Sequence, residues 1–595
     1  MADTTSGTIA STVASLPGSA AARFGADVAA RFKRGDQWSE LSYAEFVEAI
    51  EEIALGLIDL GIQVGDRVCL LANTRVEWSL AHFGVSAAGA IAVPVYPTNA
   101  PSECEWVAGN SGARAIFCED EGQVAKLEQV RGALPELGHV IGIEPGTGEH
   151  SLDDLRERGR RRDRGELAAR QELVNPEDPY TIIYTSGTTG APKGVVLTHA
   201  NAMAVCRMVT ELEFVEPGDV TYLYLPLAHV FALITLLATV DQGTTLIYFG
   251  GDSKQILAEL IDTHPTYVPS VPRIFEKLYA AAMKMVESGG ETERERFRQA
   301  VKLGVEVRQR RRRGEPVPDE LAKPFEQADE EIFGRVRQLF GGRVRQAVSG
   351  AAPIAPEILE FFYASGVPVL EGWGMTETMG VGTVGTLDHF KFGTVGRALP
   401  YVELKIAQDG EILTRGPHVF KEYWDNPEAT AETMAGDWLR TGDLGELDDE
   451  GYLKITGRKK DIIITAGGKN LTPANIENDL KQSRFISQVV MYGDRRPYPV
   501  AMITLDPDEI VPWAREQSLP QTLGELAEHE TVIDMIRVEL DRANSNYARV
   551  EQIKKFVILD HDLSVETGEL TPSLKVKRNV IYERYDDLFE SLYVD

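Results

Sequence analysis

The segment from Tyr180 to Leu197 constrains this chain more than any other. Tyr180-Thr181-Ile182-Ile183-Tyr184 and Gly194-Val195-Val196-Leu197 both read as strands, rich in β-branched and aromatic residues. Between them lies Thr185-Ser186-Gly187-Thr188-Thr189-Gly190-Ala191-Pro192-Lys193. Gly187 and Gly190 let backbone N–H groups approach an anion closely, the neighbouring hydroxyls add short donors, and Lys193 supplies positive charge. Those are the parts of a phosphate cradle. It is not a Walker A loop: no Gly-Lys-Ser/Thr follows at the required spacing, and the loop joins two strands instead of a strand and a helix. The bland alternative is a polar hairpin loop, and so long a run of glycine and hydroxyl residues ending in lysine argues against it.

The surroundings predict an α/β body. Phe46, Val47, Ile50, Ile53, Ala54, Leu57 and Ile58 recur at helical spacing, and Gly61 closes that helix before the strand-like Arg67-Val68-Cys69-Leu70-Leu71. Further strands are predicted over 90–95, 114–118 and 140–143, with helical patterns between them. The most apolar stretch, 225–240, is interrupted by Pro226 and His229 and is shorter than the ~20 residues that span a bilayer, so it reads as buried core. From about Val402, alternating segments meet a turn at Asp409-Gly410 and predict a small antiparallel β unit. The texture changes again near Gly457-Arg458-Lys459-Lys460-Asp461, where we place a boundary between domains 1–457 and 458–595.

Charge and cysteine usage exclude several classes. With 61 basic and 91 acidic residues the formal charge is −30, which opposes whole-molecule attraction to nucleic acid or anionic lipid. No nucleic-acid partner is expected, and an anionic ligand must meet a local cluster of donors. Cys69, Cys104, Cys118 and Cys206 are scattered, without metal-ligand spacing or a disulfide framework, which fits a reducing compartment. The N-terminus lacks the basic and apolar regions of a secretion signal, so the expected location is the cytoplasm. Two arginine-rich segments, Arg156 to Arg164 and the stretch around Arg310-Arg311-Arg312-Arg313, read first as solvated helix or loop. The alternative is peripheral contact with an anionic membrane.

Three separate blocks carry a resemblance. Tyr184 to Gly194, YTSGTTGAPKG, resembles the phosphate-loop signature of the adenylate-forming superfamily, which includes acyl-CoA synthetases, luciferases and the adenylation domains of peptide synthetases. Gly372-Trp373-Gly374-Met375-Thr376-Glu377-Thr378 resembles its aromatic-Gly-x-Thr-Glu motif. Trp438-Leu439-Arg440-Thr441-Gly442-Asp443-Leu444, followed by Gly457-Arg458-Lys459-Lys460-Asp461, completes the set in the family order. The implied fold is α/β: a large multi-subdomain N-terminal body of α/β layers plus a small β-barrel, with a smaller mobile α+β C-terminal domain. The arginine-rich insert and the ending LTPSLKVKR are similar to the long-chain fatty acyl-CoA synthetases.

The resemblance also implies site roles. Around ATP it places Thr185, Ser186, Gly187, Thr188, Thr189, Gly190, Gly350, Ala351, Ala352, Trp373, Gly374, Thr376, Asp443 and Arg458. Asp443 and Arg458 would meet the ribose hydroxyls and Trp373 would stack on adenine. Glu377 is a hard oxygen ligand suited to Mg2+, with Thr185 beside it, directly or through water. Lys193, Thr376, Glu377 and a late lysine form the catalytic set. The family's glycine before that lysine is missing here, which leaves Lys575 as the first choice and Lys577 as its alternative. His229 falls at the mouth of the carboxylate site, although a lone histidine among apolar residues is more often core. Gly380-Val381-Gly382-Thr383-Val384-Gly385 matches GxGxxG literally but lacks a surrounding βαβ unit, and reads as a flexible wall of the acyl pocket. Lys460 aligns with the hinge, and Gly467 and Gly468 with the loop that enters the site for thioester formation.

The implied activity is ATP-dependent activation of a fatty acid to acyl-adenylate, then transfer to coenzyme A. No protein nucleophile is needed, in keeping with the lack of a Ser-His-Asp or Cys-His constellation. Loading of a carrier protein is the rival within the family. No carrier domain follows residue 595 and no long insertion separates Arg458 from Gly467-Gly468, and both favour free CoA. A non-catalytic lipid- or membrane-binding member is the rival from another class, and the intact Thr185, Lys193, Glu377 and Asp443 argue against it.

Overall fold

The computed structural model describes residues 10–185, 191–287, 290–466, 469–571 and 575–594. An eight-stranded sheet is built around the strands expected from the sequence: Arg67–Leu71 lies between Ile91–Val95 and Ala113–Cys118, all parallel. These strands are buried at nearly every position, as parallel strands covered on both faces must be. On one side the sheet runs to His139–Gly142 and the two-residue edge strand His150–Ser151. On the other it runs to the antiparallel hairpin Pro179–Thr185 and Lys193–Thr198, with Glu422–Tyr423 added at the edge. The hairpin register sets Thr185 opposite Lys193.

A nine-stranded sheet forms the other half of the body. Its parallel centre is Thr245–Tyr248, Val220–Leu223, Tyr267–Ser270, Gln346–Ser349 and Val369–Trp373, and it ends in two short antiparallel strands, Thr383–Val384 and Arg397–Ala398. The largest hydrophobic core draws on both sheets, joining Ala30 and Leu246 of one to Val68, Ala115 and Leu197 of the other. Helix Val230–Gln242 lies in that core, buried along nearly its whole length, as the apolar stretch predicted. The antiparallel unit after Val402 is a five-stranded sheet of Glu403–Ile406, Glu411–Arg415, Met434–Ala435, Trp438–Leu447 and Leu453–Arg458. Beyond it, strands Ile486–Tyr492, Val500–Leu505 and Lys555–Ile558 form a separate sheet, with its own core packed under helices Pro473–Leu480 and Glu530–Asn544.

Both arginine segments find partners within their own chain. Helix Leu152–Arg160 packs against helix Tyr43–Asp59, whose acidic residues answer the arginines: Arg156 and Arg160 each reach the buried Glu52 at 2.7 Å, and Arg158 and Arg162 reach Asp59 at 3.2 and 3.0 Å. In the second segment Arg310 pairs with Glu306, Arg313 pairs with Glu315, and the guanidinium groups of Arg311 and Arg312 cover Phe325 and Phe390. Among the described residues no helix is long and apolar enough to cross a membrane. All four cysteines are buried as free thiols.

The contact between the first helix pair depends on reciprocal glycines. A Cβ at Gly159 would sit 1.9 Å from the Glu52 carbonyl oxygen, and one at Gly56 would sit 2.2 Å from that of Leu155. Backbones that close cannot accept a side chain without moving apart, and overpacking of this kind typically costs about 1–3 kcal/mol. Gly159→Val is therefore expected to lower the urea midpoint of the N-terminal body by a corresponding amount. An unchanged midpoint would show that the two helices separate freely.

Candidate active site

Glu377 is delivered by a short 3-10 turn, Thr376–Thr378, directly after strand Val369–Trp373. Its carboxyl is buried, and Tyr423 donates a hydrogen bond to Oε1 at 2.7 Å. Burial pushes the Glu377 carboxyl above its ordinary range; the Tyr423 hydroxyl and the nearby Arg458 charge hold it down in part. Strand Glu422–Tyr423 pairs with Lys193–Thr198, setting Tyr423 opposite Val195 and bringing the Lys193 ammonium to 5.1 Å from the Tyr423 ring centroid. Two sequence motifs about 180 residues apart thus meet through an aromatic residue that neither contains. The donor set fits a hard cation: a buried carboxylate short of compensating charge, with the Thr185 hydroxyl at the end of the adjacent hairpin strand.

A second cluster is built on Asp443. The strands Trp438–Leu447 and Leu453–Arg458 pair antiparallel and set Asp443 opposite Arg458, whose Nε lies 3.0 Å from Oδ1. The other oxygen, Oδ2, accepts the Trp373 indole N–H at 2.8 Å. Trp373 is therefore anchored by its edge. Its ring packs beside Ile412 and Leu453, and a Cβ at Gly382 would sit 2.6 Å from it. The glycine run predicted to be a flexible wall is instead closely packed. A Cβ at Gly374 would lie 2.3 Å from the Gly380 oxygen, and Gly380 itself, at φ +80, lies against Val230 and Ile234. The physical reason is backbone approach: these glycines let the Trp373–Glu377 turn, the 380–385 segment and helix Val230–Gln242 come together without side chains between them. Gly350 follows strand Gln346–Ser349 between Phe231 and Gly372, and Ala351, left-handed at φ +68, is exposed with Ala352 beside it.

The C-terminal part adds Lys575. Its ammonium is buried near Arg458 and Asp443, and its pKa is lowered to about 8 by burial first, then by the Arg458 charge, against the opposing pull of Asp443. His229 caps helix Val230–Gln242 by accepting the Phe231 N–H at Nδ1, 3.2 Å away. Burial, with Lys575 as the second cause, lowers the His229 pKa to about 4, so its imidazole is neutral at physiological pH. Lys577, the alternative, points elsewhere, 3.9 Å from Glu103. The two parts of the chain also meet at helix Pro272–Glu287, where Arg273 pairs with Asp506 and Lys277 lies 3.6 Å from Asp508. Lys460 is exposed in the turn Lys459–Asp461, between Lys459, held by Asp409 and Glu411 at 2.7 and 3.0 Å, and Asp461, 3.8 Å from Arg578.

Ser186, Gly187, Thr188, Thr189, Gly190, Gly467 and Gly468 lie outside the described residues. Of the remaining residues singled out in the sequence, the structure gathers Thr185, Lys193, Glu377, Trp373, Asp443, Arg458, His229 and Lys575 into one region. Sequence reasoning missed Tyr423 and Arg273. No motif marks either one; the only signal for Tyr423 is the aromatic density of His418-Val419-Phe420-Lys421-Glu422-Tyr423-Trp424.

With this geometry in view, the comparisons with known proteins are unambiguous about class. Residues 18–424 match the family model of the AMP-binding enzymes, and residues 460–595 match that of the AMP-binding enzyme C-terminal domain. The chain belongs to the AMP-binding enzyme family. It is 38% identical over 560 residues to the long-chain-fatty-acid–CoA ligase FadD15 of Mycobacterium bovis, covering 93% of this chain and 92% of that one. It is 31% identical to the long-chain-fatty-acid–CoA ligase ACSBG2 of Xenopus laevis, over 96% of this chain and 82% of that protein. Its fold is also that of the anthranilate CoA ligase AuaEII solved with anthranoyl-AMP, at a TM-score of 0.73 and 20% identity over 96% and 97% of the two chains. A Mycobacterium tuberculosis fatty acyl CoA synthetase aligns at a TM-score of 0.63 and 23% identity, over 97% and 99%.

The depressed pKa of Lys575 is directly measurable. Pulse acylation with an amine-reactive reagent across pH, read by mass spectrometry, is expected to half-label Lys575 near pH 8 in the ligand-free protein, well below an ordinary lysine. Asp443 raises this pKa, so Asp443→Asn is expected to move the half-labelling pH further down. Half-labelling in the ordinary lysine range would show that Lys575 is not buried among these charges.

Proposed function

We infer that this chain is an ATP-dependent long-chain fatty acid–CoA ligase: it activates a fatty acid to acyl-adenylate and transfers the acyl group to coenzyme A. The observation that carries this reading is the near-full-length identity to enzymes of that name, and the cluster of Lys193, Glu377, Asp443 and Lys575 supports it. The names of these relatives favour free CoA over a carrier protein as the acceptor.

The residue roles are our assignment. The fatty carboxylate attacks the α-phosphorus of ATP, the α–β bridging bond breaks, and pyrophosphate leaves with both electrons. The CoA thiolate then attacks the acyl carbon and AMP leaves. Charge grows on phosphate oxygens in the first step, and preorganised donors in a water-poor site stabilise it most. Lys193 and the hairpin loop take the departing phosphates, and Lys575 takes the α-phosphate and carboxylate oxygens. Asp443, its two oxygens oriented by Trp373 and Arg458, is placed to accept from the ribose hydroxyls. Neutral His229 lines the carboxylate site without adding a competing positive charge. Glu377, with Thr185, would hold Mg2+, which neutralises phosphate charge when bound. We place the domain boundary between residues 457 and 458 and assign Lys460 as the pivot that exchanges Lys575 for the Gly467-Gly468 loop. Four buried free thiols fit the cytoplasm as the place of action.

Two outcomes test these assignments. Lys575→Ala is expected to slow adenylate formation by roughly 10²- to 10³-fold, the usual cost of losing one preorganised donor, while supplied acyl-adenylate is still converted to acyl-CoA at near the normal rate. Lys577→Ala is expected to leave both steps near wild type; the reverse pattern would move the role to Lys577. Glu377→Ala should abolish most of the Mg2+- and fatty-acid-dependent ATP–pyrophosphate exchange, and exchange at the wild-type rate would remove Glu377 from the metal site. Thioester yield across acids from acetate upward would set the acyl class, and a maximum at short acids would overturn the long-chain reading.

A further inference from the structure

At the opposite end of the eight-stranded sheet from the Thr185–Lys193 hairpin stands a group of side chains that the ligase chemistry does not use. His139 begins strand His139–Gly142, and His150 begins the parallel edge strand His150–Ser151. The register sets His150 opposite Ile141. With a side-chain period of two, His139 and Ile141 share a face, so the two imidazoles become diagonal neighbours on that face. Their ring centroids are 5.5 Å apart. Glu149, next to His150, completes the group: one ligand atom from each of the three residues lies within 4.8 Å of the others.

We propose that His139, Glu149 and His150 form a binding site for one divalent transition-metal ion of the zinc, nickel or copper type. Three contacts from outside the group orient its side chains for a ligating role. His139 Nε2 lies 3.1 Å from the Leu60 carbonyl oxygen. A carbonyl only accepts, so Nε2 carries the proton and the Nδ1 lone pair is presented to a metal. This is the second-shell arrangement that metal-bound histidines use to fix tautomer and ring orientation. Arg131 donates to Glu149 Oε1 at 3.1 Å and the Val140 N–H donates to Oε2 at 3.4 Å; together they orient the carboxylate, and the second lone pair of Oε2 remains for a metal.

The chemistry of the set narrows the class of ion. Two imidazoles and one carboxylate suit zinc, nickel or copper, whereas Mg2+ and Ca2+ require oxygen ligands throughout. A tetrahedral zinc with bonds of about 2.1 Å holds its ligand atoms about 3.4 Å apart. The group must therefore close by at most about 1.4 Å, within reach of an exposed glutamate and two half-buried histidines. A fourth position is left for water. Three strands separate His139–Gly142 from the hairpin that begins at Pro179, so the ion would take no part in adenylation. Its effect would be to tie the 143–149 loop and the two-residue edge strand to the sheet.

The test uses full-length, tag-free protein stripped with a chelator. Zn2+ titration in competition with a chromophoric chelator is expected to show one saturable equivalent, and Co2+ is expected to give visible d–d absorption. Zn2+ should also raise Tm, as any ligand that binds only the folded state does. His150→Ala and His139→Ala should each lose the Co2+ bands and the Zn2+-dependent Tm shift, with the ligase rate at saturating substrate unchanged. Should His139→Ala fail to fold, Glu149→Gln, at an exposed position, carries the same comparison through a reduced Zn2+ affinity. No saturable equivalent in the wild type, or a Tm shift and Co2+ spectrum that survive the substitutions, would overturn the site.

Discussion

The arrangement of the site depends on one constraint: Asp443 is a carboxylate removed from water between the two parts of the chain. A buried charge is tolerated only where donors replace its hydration. Trp373 supplies one donor from the nine-stranded sheet, and Arg458 supplies another from the facing strand. That requirement couples the five-stranded sheet to the strand that ends at Trp373, and hence fixes where the Glu377 turn begins. Lys575 arrives as a further charge in the same region. Its ammonium is disfavoured by burial and by Arg458 and supported by Asp443, so its protonation depends on the local balance of charge. Anionic phosphate in that region would favour the protonated form.

Glycine enables the close packing that brings these charges together. Gly374 against the Gly380 oxygen, Gly382 against the Trp373 ring, and Gly380 against Val230 and Ile234 form a continuous set of close approaches. Each would be filled by a Cβ. The segment that resembles a dinucleotide-binding fingerprint is thus a packing device, and it connects the Glu377 turn to the helix capped by His229. The same logic operates far from the site, where Gly56 and Gly159 let two helices touch backbone to backbone and bring Arg156 and Arg160 onto Glu52.

Among the described residues, ion pairs join the C-terminal part to the body. Lys277 near Asp508 and Lys577 near Glu103 are ion pairs at partly exposed positions, whereas Arg273 meets a buried Asp506. The two exposed pairs contribute little individually and break without uncovering a hydrophobic core. The C-terminal sheet keeps a core of its own, with Ile486, Val489, Ile503 and Ile536 fully or almost fully buried. A small unit with a private core can separate from the body intact, as the proposed exchange of Lys575 for a second loop would require.

Much of this was legible in the sequence, because the deciding physics was local. Strand Arg67–Leu71, the strands flanking 185–193, the burial of the apolar stretch 225–240 and the antiparallel unit after Val402 follow from periodicity, turn residues and composition. Glycine, hydroxyl and lysine residues by themselves marked a phosphate cradle, and the resemblance of the three motifs to the adenylate-forming superfamily implied the rest of the chemistry. What sequence could not decide was contact between distant segments. Tyr423 holds Glu377 because an edge strand pairs with Lys193–Thr198; the choice between Lys575 and Lys577 rests on which one the C-terminal part turns toward Asp443; and Arg310 to Arg313 face acids and aromatic rings of their own chain. Local pattern specifies what each segment can do, whereas the burial and pairing that assign its partner arise only when the sheets close over a shared core.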